Sequence, residues 1–239
     1  MKIYSIHYNK PEFIILQKRS IDKYIKFPNE FIILDNSVDP VIKNDIRNIT
    51  QHLSLQYIDC NNNLYSNDSI SHQNALSKIK DIVSDGETFM IIDHDVFIIS
   101  NLFESYFDKH DMVYLNQTRG TVNYPSTVLI IFNKIKNKSQ ISFISETIDG
   151  HKCDTGGGMY HYIKDNNVCI KYMNEGYIES GPMLMSILDN IFIHLISGSD
   201  WNKDYNLNGK IEYIKKHFEI WKKKLGLNPL LLTYPVGEE

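Results

Sequence analysis

Ile91-Ile92-Asp93-His94-Asp95-Val96-Phe97 is the stretch whose reading decides the fold. Ahead of the first acid, Thr88-Phe89-Met90-Ile91-Ile92 reads as a buried strand. Two carboxylates two residues apart in an extended segment point to one face. At the end of a buried strand they are not needed for solubility. Like charges so close repel unless a cation or hydrogen bonds lie between them. A divalent cation with oxygen ligands meets that need, and magnesium or manganese would carry phosphate oxygens as further ligands. The plainer alternative is a strand end running into a polar turn, since a bare Asp-x-Asp is common.

Working outward, three more strands precede the motif. Lys2 to His7 is the first, and Pro11 then opens a helical stretch. Phe31-Ile32-Ile33-Leu34 is the second, ending in Asp35-Asn36-Ser37. Ser54 to Asp59 is the third, followed by the turn-rich Cys60-Asn61-Asn62-Asn63. Ser71 to Val83 has helical periodicity through Ala75, Leu76, Ile79 and Val83, with Ser69 or Ser71 as its cap. Continuous apolar strands separated by helices predict an α/β fold whose mainly parallel sheet is covered on both faces. Ligands of such sheets bind beyond the carboxyl ends of the strands, where Asp35, Asp93 and His7 to Asn9 sit. After the motif the pattern is more mixed. Met112 to Leu115, Thr127 to Phe132, Val168 to Tyr172 and Ile191 to Leu195 read as strands. Gly156-Gly157-Gly158 leads into a helix, and Gly209 to about Gly226 is a lysine-rich amphipathic helix. The tail from Pro229 has no assignable periodicity.

Composition narrows the class. The chain is 42% hydrophobic and 23% charged over 239 residues, which predicts a soluble globular protein and fits one large domain. A net charge of −4 gives no electrostatic reason for a nucleic-acid partner. Cys60, Cys153 and Cys169 are an odd set without CxxC spacing, which fits a reduced, cytoplasmic setting. Polar residues interrupt the start, Met1-Lys2-Ile3-Tyr4-Ser5-Ile6-His7, so no signal core is read there. No apolar run is long enough to span a membrane.

With these residues assembled, the chain resembles GT-A glycosyltransferases, especially small bacterial and viral enzymes with a DHD version of the DxD motif. The resemblance covers most of the chain, and Ser71-His72-Gln73-Asn74-Ala75-Leu76 is similar to the helix placed before the motif strand. It implies a nucleotide-binding half over 1–100 and an acceptor half over 101–239. It implies that Asp93 contacts the ribose and that Asp95 holds Mn²⁺ or Mg²⁺, with Asp93 beside it in the metal set. A late histidine ligand is matched by His194, and Gly198-Ser199 after it would bring backbone N–H groups to a phosphate. The nucleotide's base end falls to Ile6, His7, Tyr8 and Asn9, then to Asp35 and Asn36. His72 would face the donor. His94 is counted with these contacts, although alternation turns it to the opposite face. Cys153-Asp154-Thr155-Gly156-Gly157-Gly158 resembles the Asp-Thr-Gly element near donor sugar and acceptor. There Asp154 would be the general base, with Thr155, Gly156, Gly157 and Trp201 near the sugars. The structural alternative is an N-cap acid with turn glycines whose helix start presents free N–H groups.

The activity so implied is metal-dependent hexosyl or pentosyl transfer from a nucleoside diphosphate sugar, UDP-linked for preference, to a glycan or other hydroxyl, with inversion. Two other readings compete. One is a phosphotransferase of the haloacid dehalogenase type with Asp93 as nucleophile, supported by the later pair Asp200 and Asp204. Against it stand the four strands before the motif and Phe97 within it. The other is a nucleotide-sugar or glycan-binding module without turnover. The lysines of the late helix read as a solvated face, or more sharply as a peripheral contact with diphosphate or an anionic membrane surface.

Overall fold

The computed structural model of the chain describes residues 1–60, 68–180 and 183–195. Up to Asp93 strand and helix alternate: β1 (Lys2–His7), α1 (Glu12–Tyr24), β2 (Glu30–Asp35), α2 (Pro40–His52), β3 (Gln56–Asp59), α3 (Asp68–Ile82) and β4 (Phe89–Asp93). Local chemistry sets these boundaries. Asp39 caps α2 by accepting from the Val41 N–H at 2.8 Å, with Pro40 at the first helical position. Then follow β5 (Val96–Ile98), β6 (Met112–Arg119), β7 (Val122–Phe132), β8 (Thr147–Ile148), β9 (His151–Lys152), α4 (Met159–Asp165), β10 (Ile170–Tyr172), β11 (Glu175–Ser180), β12 (Met183–Leu188) and β13 (Phe192–His194).

Seven strands form the large sheet in the order β10-β6-β7-β4-β1-β2-β3. β1 pairs in parallel with β2 and β4, β2 with β3, and β10 with β6, while β7 runs antiparallel to β4 and β6. The expected fold class is the one observed: α/β, with a mixed, mainly parallel central sheet flanked by helices. Alternate residues of each strand feed two cores. Ile3, Ile33, Met90 and Ile92 pack with Ile14 and Ile21 of α1 and Ile46 and Ile49 of α2. Tyr4, Ile6, Ile32 and Ile91 pack on the other face with Ala75, Leu76 and Ile79 of α3 and Met159 and Tyr162 of α4. Burial on both faces is why these strands read as unbroken apolar runs.

A second, antiparallel sheet has the order β11-β12-β13-β5. It corrects the reading of the motif. β4 stops at Asp93, residues 94 and 95 form a turn, and β5 begins at Val96 in the other sheet. Asp93 and Asp95 therefore do not share the face of one strand; they flank a crossing between sheets.

Other boundaries shift for physical reasons. Met112 to Leu115 and Thr127 to Phe132 are only the apolar inner parts of β6 and β7. Their outer parts form a polar hairpin closed at Gly120, whose φ of +58 suits glycine. There Asn116, Thr118 and Asn123 bond one another instead of packing in a core. Ser71 lies inside α3 and accepts from Asn36 Nδ2 at 2.7 Å, so it is not the cap. No helix among the described residues is long and apolar enough to cross a membrane. The lysine-rich stretch from Gly209 and the tail lie outside the described residues.

Candidate functional site

One side chain that the sequence reading passed over holds the sheet crossing. Gln17 of α1 is buried, and its Nε2 donates to the carbonyls of Asp93 at 2.7 Å and Val96 at 2.9 Å. Its Oε1 accepts from Ser5 Oγ at 2.7 Å and from His7 Nε2 at 3.0 Å. All four hydrogen-bonding capacities of the amide are thereby used. One residue ties β1 to the end of β4 and the start of β5, and so brackets the His94-Asp95 turn. A polar residue on the buried face of a helix is the only sequence signal that marks it.

The crossing has a partner from far along the chain. β13 pairs with β5 so that His194 lies opposite Val96, and the Leu195 N–H donates to the Asp95 carbonyl at 2.9 Å. This register brings His194 Nε2 to 3.6 Å from Asp95 Oδ1, with side chains 14% and 6% exposed. Burial alone would raise the Asp95 carboxyl, but the facing His194 outweighs it and holds it below the usual carboxylate range. Burial likewise disfavours the His194 cation, and the charge of Asp95 overcomes it, so the imidazole sits above its ordinary value. Across the turn, His72 Nε2 donates to Asp93 Oδ1 at 3.0 Å. Burial disfavours the His72 cation too. Asp93, then Asp154 and Asp95, outweigh it and raise its pKa, which places Asp154 within electrostatic reach of the motif. Among the described residues no three His, Cys, Asp or Glu side chains gather into a metal set. The protein side offers the Asp95–His194 pair with Asp93 beside it.

A small pocket over the motif is lined by Ile6, Tyr8, Asn36, His72, Asp93, His94 and Asp95. Two expected nucleotide residues are placed elsewhere. His7 turns to α1, where burial drives its pKa down to about 3 and leaves it a neutral link between Ser5 and Gln17. Asp35 is fully buried and spends its oxygens on the Ser37 N–H and the Tyr57 hydroxyl, both at 2.9 Å. Asn9 adopts a positive φ of 55 and donates its N–H to Ser37 Oγ, bracing the loop after β1. His94 reaches the pocket but lies mostly inward, stacked on Phe13 with Nδ1 donating to the Ile6 carbonyl at 3.3 Å.

The Asp154 loop is packed rather than open. Asp154 Oδ1 accepts the Gly156 N–H at 3.1 Å, and Thr155 Oγ1 meets Thr127 Oγ1 at 3.2 Å. A Cβ on Gly156 would stand 1.8 Å from the Pro125 carbonyl oxygen, so this glycine permits contact with β7. The N–H groups of Gly157, Gly158, Met159 and Tyr160 donate to carbonyls of the chain, so the start of α4 holds no free cluster of donors. Gly198, Ser199 and Trp201, with Asp200 and Asp204, lie outside the described residues.

No family model matches this chain, and no curated protein matches it. Solved structures do. The chain is similar to the galactosyltransferase LgtC in complex with donor and acceptor sugar analogs, at 12% identity and a TM-score of 0.40 over 59% of this chain and 60% of that one. It is similar to the mannosyltransferase PcManGT from Pyrobaculum calidifontis in complex with GDP-Man and Mn²⁺, at 12% identity and a TM-score of 0.38 over 55% and 44%. It is similar as well to the inositol-1-phosphate CTP transferase from T. maritima, at 10% identity and a TM-score of 0.42 over 72% and 84%. The chain thus spans less than two thirds of the two glycosyltransferases.

Proposed function

We propose that this protein is a metal-dependent glycosyltransferase that takes a sugar from a nucleoside diphosphate sugar, with UDP as the favoured nucleotide. The observation that carries this reading is the pairing of Asp95 with His194 across the small sheet, beside Asp93 at the sheet crossing. At 3.6 Å the pair is too long for a good hydrogen bond, and a carboxylate facing an imidazole is a donor set that manganese accepts. Asp95 and His194 would hold the cation, with Asp93 beside them. When bound, such an ion supplies charge neutralisation on the departing diphosphate.

The remaining roles fall to the chain's own groups. Asp93, oriented by His72, accepts a hydrogen bond from a ribose hydroxyl. Tyr8 packs on the base and Asn36 pairs with its edge, since His7 and Asp35 are engaged in the protein interior. Asp154 takes the proton from the acceptor hydroxyl, and a base in that role implies inversion at the anomeric carbon.

Calorimetry of UDP with and without Mn²⁺ tests the reading, alongside UDP release from UDP-, GDP- and dTDP-sugars. Asp95→Ala should abolish both metal-dependent UDP binding and turnover. Undiminished turnover in that variant would sink the proposal. Metal-dependent UDP binding without turnover on any donor would identify a binding module instead. Proton NMR of the product's anomeric centre decides inversion.

A further inference from the structure

A cleft of about 650 Å³ lies between β10, at the edge of the large sheet, and β11, at the edge of the small one. The roles proposed above do not use it. Its walls carry Tyr106, Lys171, Asn174, Glu175, Tyr177 and Asp189. The floor is built by hydrogen bonds. Asp189, only 9% exposed, accepts from the Tyr106 hydroxyl at 2.7 Å and from the N–H and Nδ2 of Asn174 at 2.8 Å each. Lys171 Nζ lies 3.5 Å from Asp189 and 3.4 Å from the centre of the Tyr106 ring. At the rim Tyr177 is 57% exposed, and its hydroxyl donates to Glu175 Oε2 at 2.6 Å.

The walls select a class of ligand. Asp189 already neutralises Lys171, and Glu175 adds a negative charge, so a phosphate or nucleotide is disfavoured. A lining that mixes charged and amide groups with Tyr106, Ile187 and Ile191 does not suit a wholly apolar ligand. A neutral ring with an apolar face and a fringe of hydroxyls fits both features. Its C–H face packs on an aromatic ring, and its hydroxyls pair with carboxylate and amide oxygens.

We propose that this cleft binds a neutral saccharide, as the subsite for the non-reacting part of a glycan acceptor. Sheet register ties it to the site. Tyr177, Ser186 and His194 stand directly opposite one another across β11, β12 and β13, and such residues point to one face. At about 4.8 Å per strand, Tyr177 lies roughly 10 Å from His194. Glu175 is close enough to act electrostatically on His194. The acceptor role rests on the glycosyl-transfer reading; saccharide binding itself does not.

Saturation-transfer NMR on the intact chain, with UDP and Mn²⁺ saturating, tests the proposal using maltotriose, lactose, chitotriose and xylotriose. At least one should bind. Tyr177→Ala should weaken it about tenfold, the loss of one aromatic contact, whereas Tyr177→Phe keeps the ring and most of the affinity. Thermal unfolding and UDP–Mn²⁺ affinity should stay unchanged in both variants. If Tyr177→Ala does not fold, Glu175→Gln takes its place and should weaken the same saccharide. Binding of none of the four, or binding indifferent to the folded variants, overturns the proposal. Saccharide binding that depends on Tyr177, in a protein that ignores UDP and Mn²⁺, overturns the glycosyl-transfer reading and leaves this one standing.

Discussion

The large sheet and the small sheet meet at His94 and Asp95, and they are assembled in different ways. In the large sheet, β1, β2 and β4 are unbroken apolar runs buried on both faces, and Asp93 is simply where one of them ends. In the small sheet, the three-residue β5 finds its neighbour β13 only after residues 99–191 have been traversed. Closing so long a loop costs entropy that only the finished contacts repay. The placement of Asp93 is thus a property of a strand, whereas the meeting of Asp95 with His194 is a property of the whole fold. Gln17 is the side chain that answers to both, and the largest expected effect lies there. Gln17→Leu leaves the carbonyls of Asp93 and Val96 without their donor, at about 1–3 kcal/mol for each buried group, so a loss of about 4 kcal/mol is expected by urea denaturation. Hydrogen exchange sharpens the contrast. Amides of β5 and β13 should lose more protection than those of β1 and β2, and equal losses would show that the two sheets do not differ in this way.

The next effect falls on the large sheet alone. Gly156→Ala forces a methyl group against the Pro125 carbonyl of β7, where the oxygen is backbone and has little room to yield. A loss of about 3 kcal/mol is expected from such overpacking. Under the proposed glycosyl transfer, UDP–Mn²⁺ affinity should change little, because Asp95 and His194 meet at the edge of the small sheet. A variant that unfolds no earlier than the parent would show that the Asp154 loop is not seated on β7.

The same contrast explains what was legible in the sequence. β1, β2, β3 and β4, the helices α1 and α3 and the end of β10 were readable because period and burial are local, whereas α2 was not singled out. The ends of β6 and β7 were not, because Asn116, Thr118 and Asn123 satisfy one another beyond the apolar core. β5 was hidden inside the motif, and β11 and β12 carry no pattern that announces a hairpin. Asp93 and Asp95 were found at the end of a strand and His72 and Asn36 through the resemblance, and the structure brings all four to one pocket. His7 and Asp35 occupy equivalent strand ends, yet their side chains were claimed by Gln17, Ser37 and Tyr57. Which way a strand-end polar group turns depends on partners that sequence spacing does not reveal. His194 was nameable only through the resemblance, since nothing near it in sequence points to Asp95.

A smaller effect separates the histidines of the two regions. His72 and His194 sit beside carboxylates that raise their pKa, while His7 is buried and held near 3. The folded value of His7 lies below its ordinary 6.5. Its contribution to stability is therefore complete above pH 6.5 and is lost as the pH falls from there toward 3. Between pH 7.5 and 5.5 the expected loss from this residue is about 1.4 kcal/mol. The direct measurement is the NMR titration of its ring, which should stay neutral throughout that interval. A His7 ring that titrates near 6.5 would mean that the link to Gln17 is open to water.

The smallest effect tests whether α1 acts on the crossing through Gln17 alone. On its outer face Lys18 pairs with Asp22 one turn on, at 2.5 Å. That contact is as short as any in the helix, yet both groups keep water and salt around them, and an exposed pair of this kind is worth below about 0.5 kcal/mol. Lys18→Ala should therefore move the urea midpoint barely at all. The neighbouring Gln17 differs by one position and faces the core, so the two substitutions compare an inward and an outward side chain on one helical turn. Should Lys18→Ala lower the urea midpoint as far as Gln17→Leu does, the crossing would be responding to any loosening of α1, and the four hydrogen bonds of Gln17 would lose their special standing.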